Sequence, residues 1–361
     1  MQQQDPFPCE FTEDHLILDK VPGFPHPETY APQSSDAYST RGNMHNGQLK
    51  LLISEIEFLV SAHKQRLAEY PDTDVDAPFF CVYVGAFVGT HLYSLMAMFP
   101  NVRWLLVDPS FGKESANRMK ETWLAKRVTV YGKEFTSDDV ELINCWRRLP
   151  VATATGPIQR VCKTEWKGLI EKLNLLELGT WNQDRDLLFI SDIRSYAVDE
   201  AYIEKEMDDQ AFWFNRLEAS TGLLKFRLPY ITKEWLYNRP ADDRKRLYIS
   251  GDIHMPVYGA SSTTECRLLV KKNNHSIYYD PVLHEKKFAG FNQHERAWLY
   301  RYKGDLYKSF DRVAIKAVTN KFFEFLETCV GLGPSRNCRP RWEACWRITE
   351  SVSTWPKSQS A

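Results

Sequence analysis

Apolar positions along this chain follow two periods. In residues 46–64, NGQLKLLISEIEFLVSAHK, Leu49, Leu52, Ile53, Ile56 and Val60 recur at helical spacing and predict an amphipathic helix. Short continuous apolar runs follow. FFCVYVGAF, residues 79–87, is β-branched and aromatic and predicts a strand buried on both faces, as in a parallel sheet. RWLLVD (103–108) and RVTVYG (127–132) repeat the signature. TSDDVELINCWRRL then predicts a helix capped by Thr136 or Ser137, with acids in its first turn. DLLFISDIRS supplies a fourth strand ending at Asp192, and residues 199–220 a long amphipathic helix. GLLKFRLPY, RLYIS (246–250) and ECRLLVKK are the fifth, sixth and seventh strands, and residues 309–330 a last helix. This alternation predicts an α/β fold with a doubly wound, mostly parallel sheet of about seven strands. Sites in such sheets form at the carboxyl ends of strands, near the reversal of strand order.

The flanks read differently. Residues 1–45 are rich in Pro, Ser, Asp and Gln without periodicity, and predict an extended arm on the surface of the fold. Residues 46–330 read as one domain, with a less regular insertion near 150–186, and residues 331–361 as a basic irregular tail. Apolar residues make up 43 % of the chain and charged residues 26 %, a composition that supports a full core. No apolar run is long enough to span a membrane, and the first residues show no secretory pattern. The eight cysteines are scattered without a C-x-x-C pair, and predict reduced thiols in a cytoplasmic protein with no metal site. A net charge of −1 announces no nucleic-acid binder, but it leaves room for a local basic groove.

Candidate chemistry sits just after the strands. VYVGAFVGTH places Gly85 and Gly89 at a strand-to-helix turn, and Asp108 ends the next strand, where a carboxylate can accept both ribose hydroxyls. This pair of features fits a dinucleotide, S-adenosylmethionine or a purely structural turn; no P-loop motif is present. Asp192 ends the fourth strand, Lys225 lies within the fifth, Glu265 opens the seventh, and Lys50 sits near the start of the first helix, where the helix dipole disfavours a cation. Each residue alone reads equally as a cap, an edge lysine or a surface charge. Together, converging on the carboxyl-end crevice, two amines and two carboxylates suit removal of a proton from a poor acid such as a ribose hydroxyl. A lysine serves as base only when burial or a neighbouring ammonium lowers its pKa, while a carboxylate orients it.

The segments GQLKLLISEIEFL, VYVGAFVGTH, WLLVD, LLFISDIRS, LKFRLPY, ECRLLV and HEKK, in order from Gly47 to Lys287, resemble one family: the poxvirus cap-specific mRNA 2′-O-methyltransferase, which also serves as the processivity subunit of the viral poly(A) polymerase. The resemblance implies a Rossmann-like S-adenosylmethionine-dependent methyltransferase fold. The family's Lys-Asp-Lys-Glu set falls on Lys50, Asp192, Lys225 and Glu265, with Lys225 as general base toward the 2′-hydroxyl of the first transcribed nucleotide. The implied cofactor contacts are Gln48, Tyr83, Gly85, Gly89, His91, Asp108 and Phe135, with Asp192 beside the methyl group. Tyr30 and Tyr230 fall where the family stacks the N7-methylguanine of the cap, a cation–π contact, and Glu285 where a carboxylate reads its edge. Implied partners are N7-methylguanosine-capped mRNA and a poly(A) polymerase catalytic subunit, without a membrane, in the host cytoplasm or virion. The chain departs from the family at Phe87-Val88 (Ala-Pro), Ser110 (Arg) and Thr232 (a second cap carboxylate), and residues after about Phe288 match nothing in it. An RNA-holding polymerase subunit without catalysis, and a 2′-O-methyltransferase of another RNA, are the alternatives.

Overall fold

The continuous apolar runs become central strands. β1 (Phe79–Val84) and β4 (Leu187–Ser191) are buried at every position, which is why neither alternates with polar residues. β1 lies between β4 and β2 (Val102–Val107), parallel to both, with Phe79 opposite Val102 and Phe80 opposite Leu187. β3 (Val128–Tyr131) extends the parallel array beyond β2, and β5 (Thr221–Phe226) beyond β4. The chain thus builds outward from β1 to β3, then returns to the other side of β1 for β4 and β5. Strand order reverses between β1 and β4, the switch point at which this topology opens a ligand crevice.

The computed structural model describes residues 12, 16–20, 44–73, 77–87, 89–112, 127–147, 187–194, 200–229, 244–259, 263–296, 299–300 and 308–329. The insertion near 150–186, the tail at 331–361 and most of the arm at 1–45 lie outside them. The described residues divide into two compact units, one within Tyr70–Lys225 and Val270–Asn274, the other within Met1–Glu69, Phe226–Leu269 and His275–Ala361.

In the first unit, α2 (Leu92–Met98) follows β1 and α3 (Ser137–Arg147) follows β3. Thr136 is the cap of α3. Its amide and hydroxyl both donate to Asp139 Oδ2 at 2.8 Å, so the carboxylate three residues on holds the first turn from one side. α4 (Glu200–Leu217) buries Ile203, Met207, Gln210, Phe214 and Leu217, one face at helical spacing. The Phe214 ring lies directly over Gly222 of β5, where an added Cβ would stand 2.6 Å from it.

In the second unit, α1 (Met44–Glu69) packs along α6 (Phe310–Cys329), burying Leu52, Ile56, Leu59 and Val60 with Val313, Val318 and Phe322. β7 (Asp252–His254) pairs antiparallel with β8 (Cys266–Lys271), and β6 (Arg246–Ile249) with β9 (Ser276–Tyr279). α5 (Pro281–Gly290) is capped by Asp280, which accepts from the Leu283 amide, and it runs on into a π-helical turn, Phe291–Glu295. A short hairpin, β10 (Leu299–Tyr300) with β11 (Lys308–Ser309), leads into α6. Within the stretch read as an arm, Leu16 and Leu18 are buried and Ile17 bridges to His254.

The large sheet has seven strands in the order β3-β2-β1-β4-β5-β8-β7. This is the mostly parallel, Rossmann-like α/β sheet that the sequence predicts, but its membership differs. RLYIS, expected as the sixth strand, is β6 of a separate two-stranded sheet. The edge position belongs to β7, whose three residues are too few and too polar to signal a strand. α1 also begins at Met44, so Lys50 lies in its second turn rather than its first. Among the thiols, Cys81 and Cys266 are buried and outside any disulfide, as expected, whereas Cys145 on α3 is disulfide-bonded. Among the described residues no helix is long and apolar enough to cross a membrane.

One buried ion pair ties β7 to α1. His254 Nδ1 stands 3.3 Å from Glu57 Oε2, with Lys321 of α6 3.9 Å from the other oxygen. Burial alone would push the imidazole down, but the charge and hydrogen bond of Glu57 outweigh it and hold His254 above its ordinary 6.5. Burial pushes Glu57 up, and His254 and Lys321 together outweigh that and hold it below 4.5. The His254 contribution to stability is complete below 6.5 and is lost as pH rises through its raised folded value. The Glu57 contribution is present above 4.5 and is lost as pH falls through its lowered one. Urea midpoints of the chain and of Glu57→Gln should therefore differ most between pH 4.5 and 6.5, and the difference should shrink as pH rises through the raised folded value of His254. A difference independent of pH contradicts this.

Candidate active site

The carboxyl ends of the parallel strands lie in register. The Gly85 amide donates to the Val107 carbonyl (2.8 Å) and the Asp192 amide to the Val84 carbonyl (2.9 Å), so the residues following β1, β2 and β4 are pinned side by side. Gly85 has φ 79°. A Cβ there would stand 2.7 Å from the carbonyl carbon of Asp192 and the amide of Ile193, so the position admits only glycine. Asp108 follows β2 and is half-buried. Its Oδ1 accepts from the Ser110 amide (2.8 Å) and its Oδ2 from the Phe87 amide (3.3 Å), which fixes the carboxylate against the glycine turn. Phe87 and Ser110, at two of the departures from the family pattern, thus hold Asp108 through their backbones. Phe87 also stands 43 % exposed, edge-on to Phe111 at 5.6 Å, and forms an aromatic wall that the sequence did not signal.

The remaining expected cofactor residues of this unit are more enclosed. Tyr83 lies inside β1 and is 1 % exposed. His91 occupies the buried N-cap position of α2, and the Phe135 ring packs edge-on to Trp213 at 5.1 Å.

Lys225 is no edge lysine. β5 is buried throughout, and the Nζ of Lys225 lies 3.2 Å from Asp192 Oδ1, with the two side chains 10 % and 15 % exposed. Gln210 of α4 grips the backbone of Lys225: the Lys225 amide donates to Oε1 (3.1 Å), and Nε2 donates to the Lys225 carbonyl (3.2 Å). This glutamine occupies a position on the apolar face of α4, and that misfit was its only signal in the sequence. Past Asp192, Arg194 donates to Glu206 of α4 at 3.2 Å and anchors the chain leaving β4.

In the other unit, Lys50 Nζ donates to Glu265 Oε1 at 2.7 Å. This ion pair, rather than the helix dipole, accounts for the lysine, because dipole effects fade beyond the first turn. Arg267 Nη1 approaches the same oxygen at 3.4 Å. The intervening Cys266 points the other way and donates its thiol to the Phe226 carbonyl, and burial pushes its pKa well up. Glu285, on α5, is 4 % exposed, and Gln48 on α1 is half-buried. The structure therefore pairs Lys225 with Asp192 in one unit and Lys50 with Glu265 in the other. Tyr30 and Tyr230 lie outside the described residues, as do Val88 and Thr232. Among the described residues no His, Cys, Asp and Glu group is placed to hold a metal ion.

Residues 26–145 match the family model of the poly A polymerase regulatory subunit. The resemblance read from the sequence is to this same family. Among solved structures, the chain is similar to bluetongue virus VP4, described as a multifunctional RNA-capping production line, at 12 % identity and a TM-score of 0.36 over 83 % of this chain. It spans 43 % of that protein's length. It is also similar to Streptococcus pneumoniae Sp1610, a candidate tRNA (m1A22) methyltransferase, at 10 % identity and a TM-score of 0.27 over 80 % of this chain and 96 % of that one. No curated protein sequence matches the chain.

The Gln210 clamp has a measurable consequence. Gln210→Leu removes both hydrogen bonds to the Lys225 backbone and should lower stability by about 1–3 kcal/mol, at roughly 0.5–1.5 kcal/mol each. Urea unfolding measures it, and an unchanged midpoint contradicts the clamp.

Proposed function

We propose that the chain is a cap-specific mRNA 2′-O-methyltransferase acting in the cytoplasm. It would methylate the first transcribed nucleotide of N7-methylguanosine-capped RNA. The observation that carries this reading is the Lys225–Asp192 pair, an amine and a carboxylate 3.2 Å apart and largely buried at the carboxyl end of a parallel sheet. A surface that only holds RNA needs exposed cations and has no use for a buried amine.

The residues present suit S-adenosylmethionine. Gly85 leaves no side chain at the switch point, and the fixed Asp108 carboxylate matches a ribose diol. Gln48, Tyr83, Gly89, His91 and Phe135 would complete its contacts. Bound there, it supplies an electrophilic methyl group on a sulfonium. Lys225 Nζ takes the proton of the 2′-hydroxyl and passes it to solvent, while Asp192 orients the amine. Lys50 and Glu265 are the other members of the set that the resemblance implies. Tyr30 and Tyr230 would stack the methylated guanine, whose positive charge favours aromatic faces, and Glu285 would accept from its edge.

A second reading, an RNA-holding regulatory subunit of a poly(A) polymerase, draws on the family match. That match covers Lys50, Gly85 and Asp108 but ends before Asp192 and Lys225. Labelled S-adenosylmethionine and short capped or uncapped RNA separate the readings. The first expects label on capped RNA and a fall of at least about a hundredfold for Lys225→Ala. RNA binding without transfer favours the second, and transfer indifferent to the cap points to a different RNA.

A further inference from the structure

Glu265 has a second set of supports that the family resemblance does not reach. The Glu265 amide donates to Thr263 Oγ1 at 3.2 Å. The Thr263 carbonyl accepts from Asn292 Nδ2 at 3.0 Å. Asn292, 6 % exposed in the π-helical turn, accepts in turn from Arg296 Nε at 3.2 Å. Arg296 Nη1 reaches Asp311 Oδ1 at the start of α6 (2.6 Å), and Nη2 reaches the Pro256 carbonyl (2.8 Å). Its guanidinium lies over the Phe291 and Phe310 rings, 5.2 and 5.6 Å from their centroids. Asp311 Oδ1 also accepts the amide of Tyr258, which is held at φ 51°.

These contacts form one unbroken chain from Asp311 to the backbone amide of Glu265, the residue whose carboxylate binds Lys50. They also hold the described loop residues before Glu265: Pro256, Tyr258 and Thr263. A buried ion pair gives poor value as a source of stability, since apolar residues of equal volume do as well. Burial pushes Arg296 down and Asp311 up, the direction in which desolvation outweighs their attraction. What the pair supplies is geometry. The fork of Arg296 fixes three acceptors in one plane, and a π-turn presents Asn292 toward the loop; such turns recur at functional sites.

We propose that Asn292 and Arg296 are positioning residues for the methyl-transfer site, holding Glu265, and through it Lys50, in working geometry. This rests on the reading of Glu265 as a member of the catalytic set. Both residues lie in the part of the chain beyond Phe288, so the device belongs to this chain's own C-terminal region.

The test is a double-mutant cycle on the full chain, read by activity and by amide hydrogen exchange. Asn292→Ala should lower kcat on the order of tenfold, because small misplacements in a site are costly, with the KM for RNA unchanged. In a Glu265→Gln background the same substitution should have little further effect, since its route to the chemistry is gone. The Glu265 amide should exchange at least about tenfold faster in Asn292→Ala, as expected for local opening. Thr263→Val, which removes only the acceptor of that amide, should reproduce the pattern, and it carries the test if Asn292→Ala does not fold. Equal losses in both backgrounds, or an unchanged exchange rate, overturn the inference. Absence of methyl transfer in the unaltered chain overturns the proposed function instead, and the exchange rate then decides the positioning role alone.

Discussion

A lysine ammonium leaves water only in the company of an anion, and even then the pair recovers the desolvation cost only in good geometry. Lys225 lies in a strand that is buried at every position, and Asp192 is its companion. Losing one partner of such a pair costs roughly 3–5 kcal/mol, so the end of β4 is held where Lys225 requires it. The rest of the Tyr70–Lys225 unit follows from that requirement. Asp192 is tied by its amide to the last residue of β1, and its backbone leaves no room for a Cβ at Gly85. Gln210 reaches across from α4 to fix the Lys225 backbone, so the amine is constrained at both ends. An arrangement this costly is more economically explained by chemistry than by stability.

Much of this was legible in the sequence, for physical reasons. A strand covered on both faces has few polar positions, and β1 and β4 announce themselves as apolar runs and β5 as one broken by Lys225. Asp192 and Lys225 stood out because they interrupt or end those runs. The same signature misled at RLYIS: Tyr248 and Ile249 are buried while Leu247 is exposed, and the run pairs with β9 in a separate two-stranded sheet. β7 could not be read, because three residues carry no period. Lys50 was noticed for a reason the structure corrects. It looked like a first-turn cation, yet α1 starts at Met44, and the residue is explained by Glu265, a partner 215 positions away.

Distance along the chain marks the limit of such reading. Gln210, Asn292 and Arg296 each act through hydrogen bonds to backbone or side chains outside their own element, and no periodicity encodes those partners. Gln210 shows only as an amide on an apolar face. Asn292 lies in a π-turn that follows a short helix and Arg296 directly after it, in a part of the chain that resembles nothing in the family. The family match over residues 26–145 likewise stops short of both Asp192 and Lys225. The proposed roles of Asp192 and Lys225 thus rest on burial and geometry in addition to resemblance.

The central claim is the atom that receives the methyl group. Capped RNA incubated with the chain and S-adenosylmethionine, digested to nucleosides and resolved by mass spectrometry, measures this directly. The account predicts one 2′-O-methylated ribose, at the first transcribed nucleotide. A methyl group on a base, at an internal ribose, or on no nucleoside at all would contradict it.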